Sequence, residues 1–434
     1  MAIHYKIIEG LNMKYFISSI PFFDENMIVH AYRMMTQDGN KLMGAAEDFR
    51  LEGGALQTPA LDTVARTGIE PFAGECDFFI EIGEYQLLMG LPLDMGLDPE
   101  KLVCVVHRKS LSDDAVKEKL EILKENGYRL AINGLREDAD LTAISEFFDY
   151  IILSIKSSRF VDCLKAVYPY LETVNLAITD IPDMESFKKF TNIKGVLLSG
   201  DFYKQPISKG KTKISPLKIN SLNLLKQINE EDVDLQATAN TIERDPALSL
   251  SLLRTINSMI PNRSREIDSI RQAVAILGQK EVKKWATIAI SIGLGDDRPG
   301  EVTRLSLIRA KFAENLAPTF DLAIKSGLLF MSGLFSLIDV VLELPMEKAV
   351  EEIAIDDEVK DALVHKKGRF NNILSLIYAY EHADWNNASI LLVKNDITIN
   401  DVTEAFINAL LWYKQLLDSI DSEAEEDEKD EEQE

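Results

Sequence analysis

KLVCVVHRKSLSDDAVKEKLEILKENGYRLAING, residues 101–134, is the stretch that decides the fold of the first half of the chain. It opens on Leu102–Val106, a continuous apolar run of the kind a strand shows when both its faces are covered. Asp113–Glu125 follows with the apolar spacing of an amphipathic helix and stops at Asn126-Gly127. Tyr128–Ile132 then reads as a strand again. The alternation extends in both directions. Before it stand the strand-like runs Lys14–Ile20, Met27–Met34 (after the turn signal Asp24-Glu25-Asn26) and Phe78–Ile82. After it come helix Leu141–Phe147, strand Tyr150–Ile155, helix Phe160–Tyr168, strand Thr173–Ile178, helix Met184–Phe190 and strand Val196–Leu198. Short apolar strands alternating with helices argue a parallel sheet, and this many units in about 200 residues favour a closed β/α, TIM-like barrel.

The alternation ends at YKQPISKGKTKISP, Tyr203–Pro216, which has the composition of a linker. From Lys218 onward every periodic segment is helical. Asp245-Pro246 is a helix-start signal. Ser269 and Gln272 have capping-box spacing, and Ile270, Ala273, Val274 and Leu277 form a stripe closed by Gly278. Further helices are expected over Ser306–Ala317, Ala323–Leu342, Pro345–Ile353, Asp357–Val364, Asn371–Ala383, Trp385–Val393 and Ile399–Ile420. The expected division is a barrel over 1–206, a linker over 207–217, an all-helical domain over 218–420 and a disordered acidic tail over 421–434.

Charge and cysteine usage exclude several classes of function. The formal net charge is -24. Ten carboxylates and one lysine in Asp421–Glu434 account for part of it, and the remainder is still acidic. Such a body repels phosphate backbones and anionic lipid, so neither nucleic acid nor membrane is an expected partner. Cys76, Cys104 and Cys163 are widely separated and have no metal-ligand spacing, which fits reduced thiols in a cytoplasmic protein. Met1–Lys14 lacks the pattern of a signal peptide. Gly327–Leu344 approaches the length of a membrane span but is interrupted by Ser332, Ser336, Asp339 and Glu343.

TIERDPALSLSLLRTINS (Thr241–Ser258), SIRQAVAILGQKEVKKW (Ser269–Trp285), LIRAKFAENLA (Leu307–Ala317), FMSGLFSLIDVVLELPM (Phe330–Met346) and IYAYEHADW (Ile377–Trp385) resemble, in order and spacing, the HDOD domain family. The first half resembles an EAL domain, the barrel of cyclic-di-GMP phosphodiesterases. The resemblance is carried by Phe22-Phe23-Asp24 with Tyr32, Leu102–Val106, Gly127-Tyr128 with Leu130-Ala131, Phe148–Ser154, and Gly200 with Phe202 and Pro206.

The EAL resemblance implies a divalent-metal site, and the ligands it implies are missing. Oxygen donors are needed to hold hard cations, which lower the pKa of bound water and clamp the reacting oxygens. The signature Glu is replaced by Arg33, the next Asn falls at Glu81, and the Glu-x-x-Glu strand aligns with Val105 to Arg108. The Asp-Asp pair aligns with Asn133-Gly134. The lysine and the Asp after it become Ile152 and Ser154, the Glu-Lys-Val-Glu motif becomes Thr179 to Pro182, and the last Gln becomes Ser199. Gln37 stands in place of an arginine that contacts phosphate in the family. Members of the HDOD family lack the consecutive His-Asp metal motif, and neither His365 nor His382 is followed by Asp here.

The expectation is therefore a non-catalytic bacterial signalling protein without cofactor or metal, acting through another signalling protein. A sensor that binds cyclic-di-GMP or another nucleotide without hydrolysis is the alternative. A cationic cluster, Arg254, Arg263, Arg265, Arg271, Lys280, Lys283 and Lys284, is the candidate docking patch. Its bland alternative is a solvated helix face paired with acids of the same domain.

Overall fold

The computed structural model describes residues 15–38, 59–136, 139–206, 221–222, 225, 228, 235–243, 249, 252–253, 267, 269–294, 299–353 and 355–431. Eight strands form where the apolar runs predict them: β1 Tyr15–Phe23, β2 Val29–Asp38, β3 Asp77–Glu81, β4 Leu102–His107, β5 Arg129–Asn133, β6 Tyr150–Ser154, β7 Asn175–Ile181 and β8 Leu197–Gly200. They close into a barrel in sequence order. β2 to β8 run parallel, with helices such as Asp114–Glu125 between β4 and β5 as crossovers.

The opening pair departs from the parallel sheet expected of the whole half. β1 is antiparallel to both β2 and β8. The reason lies in the connection. Asp24 accepts backbone N–H bonds from Asn26 at 2.8 Å and Ile28 at 2.9 Å, and Met27 adopts a positive φ of 66°. So tight a turn cannot hold a crossover and can only fold the chain back as a hairpin.

The barrel interior is apolar. Phe22, Ala31, Phe79, Val103, Val105, Ala131, Ile152, Ala177 and Leu197 form one buried cluster, with Tyr150 packed against it. Leu102–Val106 is buried at every position, as an unbroken apolar run requires.

The chain divides into two compact units. The first contains Met1–Gln205 together with Leu376–Ala405, and the second Pro206–Ser375 with Phe406–Glu434. Part of the helical region expected to stand apart from the barrel thus belongs to the barrel's own unit. There the Phe16 ring of β1 stacks on Trp385 at 5.1 Å and meets Tyr380 edge-on at 5.9 Å.

In the second unit, Ile270–Leu294 is broken at Gly278, whose φ of 75° ends the first stripe as its sequence position suggests. Gly300–Leu316 packs on Ser326–Leu334 so closely that a Cβ on Gly333 would overlap the Arg309 carbonyl. The helix expected over Ala323–Leu342 is four short pieces, Ala323–Lys325, Ser326–Leu334, Phe335–Leu337 and Ile338–Leu342. This stretch has the length and hydropathy of a membrane span, but most of it is buried within the protein. The last helix, Ile399–Glu431, continues into the acidic run that composition assigns to disorder. Glu, Ala and Lys are strong helix formers, so charge density alone does not stop it.

Candidate functional site

Alternation along the strands fixes what lines the barrel mouth. Residues two apart share a face, so counting upward from the core cluster gives the next inward layer. That layer is Arg33 on β2, Glu81 on β3, His107 on β4, Asn133 on β5, Ser154 on β6, Thr179 on β7 and Ser199 on β8. Parallel β/α barrels carry their sites at this end of the strands. Of the positions singled out in the sequence, Arg33, Glu81, Asn133, Thr179 and Ser199 fall in the mouth layer. Val105 and Ile152 fall one layer below and are part of the dry core, 0% and 2% exposed. Gly134 lies just beyond the strand end.

Arg33 sets the electrostatics. Its side chain is only 10% exposed, and one terminal nitrogen lies 3.6 Å from Glu81. Its Nε is buried with no hydrogen-bond partner among the described residues. Burial pulls the guanidinium's pKa down, while the charges of Glu81 and Asp180 work to hold it up.

Strand alternation would turn Asp180 outward. The β7–β8 register shifts between Ile178 and Ile181, and Asp180 sits at a φ of 66°. The bulge re-aims its carboxylate. Ser154 Oγ donates to it at 2.5 Å and Thr179 Oγ1 at 3.1 Å, and Lys156 Nζ lies 3.0 Å away. Burial alone would raise the Asp180 pKa, but these donors outweigh it and hold the carboxyl below its usual value. Glu81, read from the sequence as a solitary oxygen donor, therefore has a second acid near it, but each carboxylate already faces a side-chain cation.

His107 and Gly134 form a second local arrangement. Gly134 has a φ of 73°, and a Cβ there would overlap the His107 ring. His107 Nδ1 accepts the Lys109 N–H at 3.2 Å. Burial lowers the imidazole's pKa, with Glu81 opposing it. Glycine at 134 is thus required by backbone geometry and by the neighbouring ring. An acid at 134 would have to displace that ring.

A divalent cation needs several converging oxygens. Among the described residues no group of three His, Cys, Asp or Glu side chains converges. In the mouth layer Glu81 faces Arg33, Asp180 faces Lys156, and Asn133, Ser154, Thr179 and Ser199 add only neutral oxygens. This donor set does not fit the pair of metal ions that the EAL resemblance implies.

Only three side chains of the cationic cluster, Arg271, Lys283 and Lys284, fall among the described residues. Arg254, Arg263 and Arg265, and the side chain of Lys280, lie outside the described residues. Arg271 pairs with Glu243 at 3.3 Å and donates to Asn240 Oδ1 at 3.2 Å. Lys284 donates to both oxygens of Glu314 at 2.7 and 2.8 Å and lies over the Phe330 ring, while Lys311 holds the same carboxylate at 2.8 Å. Lys283 is half-buried. Arg271 and Lys284 thus spend their charge inside the second unit. Sequence reading overlooked His107, Lys156 and the role of Asp180. No signal in Thr179-Asp180-Ile181-Pro182 announces the bulge that turns Asp180 inward.

Residues 216–364 match the family model described as the HDOD domain. The chain is 26% identical over 420 residues to the uncharacterized protein YuxH of Bacillus subtilis, covering 94% of this chain and 100% of that one. It is 23% identical over 407 residues to the protein named cyclic di-GMP phosphodiesterase CdgJ of Vibrio cholerae, covering 92% and 93%. Among solved structures it is similar to an EAL domain protein from Listeria monocytogenes (TM-score 0.34, 14% identity, 47% of this chain and 93% of that one). It is also similar to the PaMucR phosphodiesterase in complex with c-di-GMP (TM-score 0.33, 12% identity, 43% and 94%). The chain joins a closed eight-stranded β/α barrel to a helical region whose residues 216–364 match the HDOD domain model.

Proposed function

We propose that this chain is a cytoplasmic regulatory protein in cyclic-di-GMP-related signalling whose barrel does not hydrolyse the dinucleotide, and which acts by binding another signalling protein. The observation that carries the reading is the buried Arg33 guanidinium. It lies in the mouth layer over a dry floor of Val105 and Ile152, close to Glu81 and within the field of Asp180. Phosphodiester cleavage by metal-activated water needs anionic donors around the ions, and a fixed cation there repels them. Lys156 and Arg33 together balance Asp180 and Glu81, so the mouth is internally neutralised and does not depend on added ions.

The relative named as a cyclic di-GMP phosphodiesterase supports a second reading, in which the mouth still takes the dinucleotide. Two measurements on the full chain separate them. Incubation with cyclic-di-GMP and Mg²⁺ or Mn²⁺ should yield no linear dinucleotide, and turnover would overturn the non-catalytic reading. Calorimetry should show no binding, and a micromolar dissociation constant would establish the sensor instead. Affinity capture with the full chain should enrich a specific protein, and the absence of any would remove the interaction model.

A further inference from the structure

β1 and β8 share a single register pair, Phe23 with Leu198, although β1 has nine residues and β8 four. The opposite edge of β1 is paired with β2 along its whole length. β1 therefore overshoots β8, and the backbone groups on its remaining edge need other partners. Two of those partners come from Leu376–Ala405, within the same compact unit.

The Ile17 N–H donates to the Tyr380 hydroxyl oxygen at 3.1 Å, the Tyr380 hydroxyl donates to Thr403 Oγ1 at 3.1 Å, and the Thr403 hydroxyl donates to the Tyr15 carbonyl at 2.9 Å. Tyr15 and Ile17 are two residues apart, so both groups lie on one edge. Tyr380 and Thr403 are fully buried. The same segment reaches the β8 side. Asp201, which directly follows β8, lies 2.9 Å from His382 Nε2 and accepts from Lys204 at 2.9 Å. His382 is two residues beyond Tyr380, and the stack of Trp385 on Phe16 completes the contact.

We propose that Leu376–Ala405 is a strap on which closure of the barrel between β1 and β8 depends, so that weakening it exposes the β1 edge while the β2–β8 ladder stays formed. The strap follows residues 216–364 in the chain, so a barrel cut at the linker would lack its closing element. The proposal is independent of whether the mouth is catalytic.

Hydrogen–deuterium exchange on the full chain tests it. Tyr380→Phe keeps the ring contacts and removes the relay. The peptide spanning Tyr15–Phe23 should then exchange about ten-fold faster, because a buried amide has lost its acceptor. Peptides across Leu102–Asn133 should not change. His382→Ala, at a partly exposed side chain, should raise exchange in the Tyr15–Phe23 peptide several-fold and again spare Leu102–Asn133. If Tyr380→Phe does not fold, His382→Ala decides by the same two criteria. Unchanged exchange at Tyr15–Phe23, or an equal rise across Leu102–Asn133, would overturn the proposal.

Discussion

The Arg33–Glu81 pair is asymmetric, and the asymmetry has a measurable sign. Arg33 is 10% exposed in its side chain and Glu81 54%. At their separation of 3.6 Å the Coulomb attraction is about 4.6 kcal/mol at an effective dielectric constant of 20 and about 1.2 kcal/mol at that of water. Glu81 is more than half in solvent, which screens the pair toward the lower figure and leaves roughly 2 kcal/mol. Glu81→Gln removes that attraction and leaves a buried guanidinium with only the more distant Asp180, at a cost of about 2 kcal/mol. Arg33→Met removes the buried charge itself. Glu81 then rehydrates where it stands, Asp180 keeps Ser154, Thr179 and Lys156, and the change should stay within about 1 kcal/mol. The double variant should cost no more than Arg33→Met alone. Exchange of the β4 amides reports barrel opening, and 2 kcal/mol is roughly a thirty-fold rate increase. A larger loss of protection in Arg33→Met than in Glu81→Gln would refute the picture of a desolvated cation held by a solvated partner.

Three further outcomes follow from the same structure. Gly134→Ala should destabilise the barrel by about 2 kcal/mol, from positive φ and overlap with His107, and His107→Ala should recover part of that loss in a double-variant denaturation series. Asp201 is held well below the usual carboxylate value because His382 and Lys204 outweigh its burial. A depressed folded pKa contributes stability above the unfolded value near about 4 and loses it as pH falls through the folded one. The wild-type unfolding midpoint should therefore drop more steeply below about pH 4 than that of Asp201→Asn, and parallel curves would contradict the assignment. Burial pushes the Cys104 thiol far up, and Cys163 is also buried, so a thiol reagent should find only the half-buried Cys76 in the native protein and all three cysteines in denaturant.

Apolar periodicity is a local signal, and what it governs was legible. Leu102–Val106 becomes a strand covered on both faces, as a continuous apolar run requires, and the other seven apolar runs also become strands. The positions Arg33, Glu81, Asn133, Thr179 and Ser199 came from the EAL resemblance, and a period of two carries them to one layer once the barrel closes. Three features were not legible, and each depends on something outside its own window. The bulge at Asp180 comes from a register slip between β7 and β8. The pairing of Lys284 with Glu314 joins residues 30 apart. The strap joins Ile17 to Tyr380 across 363 residues.

The bulge at Asp180 carries a consequence for the mouth. Turning Asp180 inward adds an acid and so moves the mouth toward the composition of a metal site. Lys156 and Arg33 cancel that gain, because each carboxylate already has a side-chain cation beside it, Lys156 at 3.0 Å from Asp180 and Arg33 at 3.6 Å from Glu81. What separates such a mouth from a cation site is the placement of ammonium and guanidinium groups more than the count of acids. Returning a single acid at Arg33 would add a third carboxylate to Glu81 and Asp180 while leaving Lys156 in place and Val105 and Ile152 without donors. Substitution at that one position is therefore insufficient to build the donor set that a phosphodiester-cleaving metal pair requires.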